Sequence, residues 1–271
     1  MAESPLWGRY EALRPHEFEQ ILRETPIAYL PWGALEWHGA HLPLGSEGYI
    51  AEALAERSIQ RTGGVLLPTT WWPIAAVPHP YSISIPSETI HELWDAIFTN
   101  LARIGFRLVV VITGHYGHGH DLVLMDAAEH AIHHLGLKVL AIPPLALVDE
   151  RMLDHAAHWE TAQMMAIKPR LVALEALNQD QHQTPQSGVI GDDPRLATAS
   201  QGESALKLAN ERIVTSVRAV LGSGGNEILR ELYIRRRSYY QEYVDAYFHG
   251  SWDEAVRAWW DDWQFKSRGE A

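Results

Sequence analysis

No cysteine occurs in the chain, so disulfide staples and thiolate metal ligands are both excluded. Positive charge is scarce as well. Lys and Arg number 22 against 34 Asp and Glu, a formal charge of −12. Nucleic acid and anionic membrane surfaces both demand clustered positive charge, so neither is expected as a partner. No apolar run approaches the ~20 residues that span a bilayer. The opening MAESPLWGRYEALRPHEFEQ lacks the basic-then-apolar order of a secretory signal. There is no internal repeat and no low-complexity tract, so a solenoid is not expected. Cytoplasmic residence is the resulting expectation.

What is present suits one large α/β domain with an appendage: 271 residues, 46% of them hydrophobic. Pro26 to Gly33, Gly64 to Trp72, Arg107 to Thr113 and Leu137 to Ile142 are continuous apolar runs bounded by turn residues. That is the pattern of strands buried on both faces of a parallel sheet. Helical patterns lie between and after them, at Tyr49 to Gln60, Glu88 to Ile104, Leu122 to Leu135 and Ser204 to Leu221. The alternation predicts a doubly wound α/β sheet over residues 1–222. Past the GSGGN stretch at Gly222, residues 223–271 form a helical extension rich in aromatics, with Tyr240, Tyr243 and Tyr247 at i, i+3 and i+7. Such a stripe wants a partner surface, and the extension is expected to act in assembly or in covering a site.

Histidine is abundant, with 15 residues, and several stand at chemically suggestive spacings. Glu36 and His38 follow the first predicted strand two residues apart, so extended backbone points both to one side. Glu47 is brought back by the Pro43–Gly45 turn and could bridge two cations. His115, Tyr116 and His118 follow another predicted strand in a glycine-rich loop. Ligands of open α/β sheets bind where such strand ends meet. A third group, Asp154, His155, His158 and Glu160, opens a helical pattern.

The stretch Glu36-Trp37-His38-Gly39-Ala40-His41-Leu42-Pro43-Leu44-Gly45 closely resembles the E-x-H-G-P-H-L-P-L-G-T-D signature of the creatininase-like amidohydrolases. Gly114-His115-Tyr116 is similar to that family's metal-binding loop, and His155 to Thr161 to its H-A-G-x-x-E-T segment. Gly188 to Ala199 resembles its G-V-x-G-D-P-x-x-A-T stretch. The resemblance implies a three-layer α/β/α sandwich, two divalent metal ions per subunit, hydrolysis of amide bonds in small molecules, and a homo-oligomer, frequently a hexamer. It also implies that Glu36, Glu47 and His115 hold one ion, and that His38 and Glu47 hold the other. Two departures follow. The bridging acid is usually Asp and is here Glu47, and the Glu that completes the second ion in the member naming the family is here Gly117. Glu160 is the expected substitute, with His118 next. The family's substrate loop survives only as Pro78 to Ile85, which contains His79 and Ser82 but lacks a Gly-Thr pair, so the expected substrate is not creatinine.

Histidine and carboxylate donors suit Zn, Mn or Fe. Such ions acidify water and polarise a carbonyl. His155 has the pKa range to carry a proton to the leaving group, oriented by Asp154 or Glu160, while Tyr116, His79 and Ser82 are the expected substrate contacts. The leading expectation is hydrolysis of a cyclic or formamide-like amide. The alternatives are ring opening of a cyclic ketone, or a non-catalytic member that has lost one metal.

Overall fold

A computed structural model describes residues 5–177 and 187–267. The core is a five-stranded sheet formed by β1 (Trp7–Arg9), β2 (Ile27–Trp32), β3 (Gly64–Leu66), β4 (Leu108–Thr113) and β5 (Lys138–Leu140). Its spatial order is β1-β3-β2-β4-β5 and every pairing is parallel. All six residues of β2 and all six of β4 are buried, because helices cover both faces. One layer consists of α2 (Ser46–Thr62), α5 (His158–Ile167) and α6 (Ala199–Leu221). The other contains α3 (Ser87–Ile104) and α4 (His120–His130), the latter continued by a π-helical turn over Ala131–Leu135.

The expected three-layer sandwich is therefore present, with local differences. The predicted strand Gly64 to Trp72 is regular only as far as Leu66, because Pro68 cannot donate to a ladder. The chain nevertheless continues alongside β2: Thr70 N–H donates to the Pro31 carbonyl and Gly33 N–H to the Thr70 carbonyl. β1 and α1 (Pro15–Glu24) extend the sheet edge beyond the strands read from the sequence. Among the described residues, no helix is long and apolar enough to cross a membrane.

The topology fixes where a ligand belongs. β2 and β4 are neighbours, yet the chain leaves β2 toward β3 and leaves β4 toward β5. The connections diverge at the carboxyl ends of these two strands and open a crevice there.

The extension folds as α7 (Gly225–Ser238), α8 (Gln241–Tyr247) and α9 (Trp252–Ser267) and docks on the sheet domain through specific polar contacts. Tyr233 donates its hydroxyl to the Val139 carbonyl at 2.6 Å, tying α7 to β5. Asp253, in the first turn of α9, accepts from the backbone and hydroxyl of Ser87, both at 3.0 Å. Tyr240 and Tyr243 are buried against their own chain, so the aromatic stripe finds its partner surface within the subunit.

Candidate metal centre

Glu36 and His38 leave the end of β2, and Glu47 stands in the first turn of α2. Two glycines permit this. A Cβ added at Gly33 would lie 2.2 Å from the Gly48 nitrogen, and one at Gly114 would lie 2.2 Å from the Glu47 carbonyl oxygen. With no Cβ at either position, the start of α2 wedges between the ends of β2 and β4. His115 follows Gly114, His155 arrives from the segment leading into α5, and Glu160 from the first turn of that helix.

These side chains converge. His115 Nδ1 lies 3.0 Å from Glu47 Oε1 and 3.2 Å from Glu36 Oε1. His155 Nδ1 is 3.3 Å from Glu36 Oε1 and 4.0 Å from Glu47 Oε1. His38 Nε2 is 3.5 Å from Glu160 Oε2 and 3.8 Å from Glu47 Oε1. Donor atoms of Glu36, His38, Glu47 and His155 all fall within 4.8 Å of one another.

Each imidazole is also held from behind by a backbone carbonyl. His38 Nδ1–H donates to Glu36 at 3.0 Å, His115 Nε2–H to Ile74 at 2.8 Å, and His155 Nε2–H to Trp37 at 2.8 Å. That choice of tautomer leaves the inward nitrogen of all three aimed at the carboxylates, as ligating histidines require. Ile74 is itself fixed, its N–H donating to His120 Nδ1 at 3.3 Å. The non-glycine residues at positive φ among the described residues, Ala75 and Ala156, flank these anchors. Strained backbone of this kind concentrates at functional sites.

The charge balance asks for a cation. Glu36, Glu47 and Glu160 are nearly fully buried together. Burial works against ionised Glu36, but His115, His155 and His38 hold it below the usual carboxylate range. Burial, then the Glu36 charge, pushes Glu47 up to about 8 although His115 opposes this. Burial, then the Glu47 charge, also raises Glu160 well above the usual carboxylate range. Burial disfavours charged His115, yet Glu47 and Glu36 raise it well above an ordinary imidazole. Glu36 Oε1, His38 Nε2 and Glu160 Oε1 are buried without a hydrogen-bond partner. Buried carboxylates beside the unpartnered His38 Nε2 fit divalent cations.

The other expected residues divide. Asp154 does not orient His155. Its carboxylate accepts from Trp159 N–H at 2.6 Å and Glu160 N–H at 3.0 Å, satisfying free donors in the first turn of α5. Tyr116 donates its hydroxyl to the Asp154 carbonyl at 2.5 Å while its ring faces the pocket. His79 stacks on Trp37 at 4.3 Å, and Ser82 Oγ accepts from Trp37 N–H at 3.0 Å. That loop meets the pocket through Ala75 and Val77 instead, so His79 and Ser82 brace Trp37 rather than line the cavity. His118 is turned away from the carboxylates, with its ring 4.4 Å from that of Trp259 and 4.8 Å from that of Tyr243. Glu160, not His118, stands beside His38.

A cavity of about 260 Å³ opens over Glu36, Glu47, His115 and His155. Part of its lining is supplied by Tyr240, Val256, Trp259 and Trp260 of the extension. The sequence marked that segment as aromatic, but no local signal places these residues over the centre.

The profile of the creatinine amidohydrolase family matches residues 11–217. The chain is 23% identical over 251 residues to the creatinine amidohydrolase of Pseudomonas putida, covering 78% of this chain and 94% of that protein. It is 25% identical over 211 residues to the mycofactocin precursor peptide peptidase of Mycolicibacterium smegmatis, covering 68% of this chain and 81% of that protein. A crystal structure of creatinine amidohydrolase superposes with a TM-score of 0.69 at 22% identity, covering 80% of this chain and 97% of the other. A structure named Creatininase Mn superposes at 0.67 with 21% identity, covering 78% and 97%. At that identity the likeness to solved structures is one of fold. Helices α7 to α9 lie beyond the matched residues.

Proposed function

The chain belongs to the creatinine amidohydrolase family, and from that premise we propose that it is a two-metal hydrolase opening an amide bond, cyclic or formamide-like, in a small molecule. The observation that carries this reading is the set of three imidazoles, each tied at one nitrogen by a backbone carbonyl and aimed with the other at buried carboxylates. Glu36, Glu47 and His115 would hold one divalent ion, and His38, Glu47 and Glu160 the other, with Glu47 shared. Glu160 then takes the part left open by Gly117. Zinc, manganese or iron bound there would acidify water and polarise the amide carbonyl.

The protein's own groups do the rest. His155 turns Nδ1 toward the reacting centre, and burial keeps it below the usual imidazole range, hence neutral and able to accept a proton. It takes a proton from the attacking water and returns it to the leaving nitrogen. Tyr116, held by the Asp154 carbonyl, closes one side of the pocket. The cavity has room for a small molecule rather than a folded polypeptide.

The test is metal analysis of protein purified without chelator, combined with product analysis on a panel of cyclic amides and cyclic diketones. Two ions per chain and hydrolysed amide support the reading. Diketone cleavage without amide cleavage would replace it with carbon–carbon ring opening at the same centre.

A further inference from the structure

Resting on the hydrolase reading above, we propose that helices α7 and α9 form a substrate-selecting wall and that the substrate carries an uncharged, aryl-sized apolar group next to its scissile amide. The pocket has two unlike halves. One part of its lining is the carboxylate and imidazole cluster, and another is Tyr240, Val256, Trp259 and Trp260. These residues lie outside residues 11–217, so the wall is added to the family's shared body.

The charged groups beside this wall already engage one another. Arg236 lines the pocket, and each of its three nitrogens donates to a neighbouring side chain. Its Nε donates to Asp121 at 3.0 Å and its Nη2 to Asp121 and to the Tyr240 hydroxyl, both at 2.6 Å, while Nη1 meets Glu150. Two carboxylates already neutralise it, which leaves little to attract an anionic group. Aromatic walls also bind cations, but the guanidinium sits 4.7 Å from the centre of the Tyr240 ring and already occupies that face. Desolvated aromatic surface without free charge selects a flat apolar group.

The wall is built in rather than loosely draped. Asp253 pins the start of α9 to Ser87, and Arg237 pins α7 to Asp126 at 2.8 Å and Glu129 at 2.5 Å. Gly119, at φ +85°, lets α9 approach the loop after His115; an added Cβ would stand 2.9 Å from Val256 Cγ2.

The experiment compares 2-pyrrolidinone with its 5-phenyl derivative, pyroglutamate as the anionic analogue and 5-(aminomethyl)-2-pyrrolidinone as the cationic one. Binding to the metal-loaded 271-residue protein is measured by calorimetry, and hydrolysis is followed separately. The phenyl compound is expected to bind about tenfold more tightly than the parent, with neither charged analogue gaining affinity. In Trp259→Ala the phenyl-to-parent affinity ratio is expected to collapse, and in Trp259→Phe to recover. Equal binding of phenyl and parent compounds, or preference for a charged analogue, overturns the proposal. The binding ratio does not depend on turnover. A phenyl preference without hydrolysis therefore supports the wall and counts against the amidohydrolase reading, whereas hydrolysis without the preference does the reverse.

Discussion

His115 Nδ1 lies 3.0 Å from Glu47 Oε1 while its Nε2 donates to the Ile74 carbonyl, so one ring joins the end of β4, the start of α2 and the loop after β3. A side chain fixed at both nitrogens has little freedom left. Replacing it with Ala, or replacing Glu36 with Ala, should remove bound metal and essentially all hydrolysis while far-ultraviolet circular dichroism stays unchanged. Retained metal and activity in either variant would end the assignment.

His155 separates two roles by metal count. As the proton carrier, His155→Ala should keep both ions and lose about 10²- to 10⁴-fold in kcat. If elemental analysis instead shows one ion lost, His155 is a ligand, as its 3.3 Å approach to Glu36 also permits.

Glu160→Gln should weaken the ion shared with His38, because a neutral amide gives up the charge that holds a dication. Zinc titration against a chromophoric chelator measures this. Unchanged stoichiometry and affinity would leave Glu160 as no more than an acid in the first turn of α5, favoured by the helix dipole.

Metal and pH should be linked with a definite sign. Glu47 has a folded pKa of about 8 against an ordinary value of 4.5, and His115 is raised as well. In chelator-stripped protein the folded state therefore holds protons that the unfolded chain has released. The contribution of Glu47 to stability should be full below about 4.5 and fade as pH rises toward about 8, opposite in sign to that of the lowered Glu36 and His155. Adding zinc should displace the Glu47 proton and flatten the decline. Thermal melts between these pH values, with and without zinc, test it; identical slopes would contradict it.

Arg236→Ala should destabilise the fold by about 3–5 kcal/mol, because Asp121 and Glu150 lose their counter-ion while Asp121 stays buried. Bound metal should be retained. Urea unfolding measures the loss, and a change below about 1 kcal/mol would show that water reaches Asp121 readily.

Much of the centre was legible because strand ends announce themselves. The runs ending at Trp32 and Thr113 are too apolar to lie anywhere but in a covered parallel sheet, and Glu36, His38 and His115 follow them directly. The roles of Asp154, His79 and Ser82 were not legible. Whether a carboxylate beside a histidine orients it or caps the next helix depends on backbone direction at one residue. Here Asp154 turns toward Trp159 and Glu160, and the Trp37 carbonyl takes over His155.

The sequence by itself determined the sheet apart from β1, most of its covering helices, the family and the chemical types gathered at the centre, since apolar periodicity and short-range spacing are local properties. Only the tertiary structure decided that Glu160 rather than His118 faces His38, and that Trp259 and Trp260 overlook the cluster. Those relationships join segments more than a hundred residues apart. They are set by how α5 and α9 dock on the body, through contacts such as Asp253 with Ser87, which no local pattern encodes.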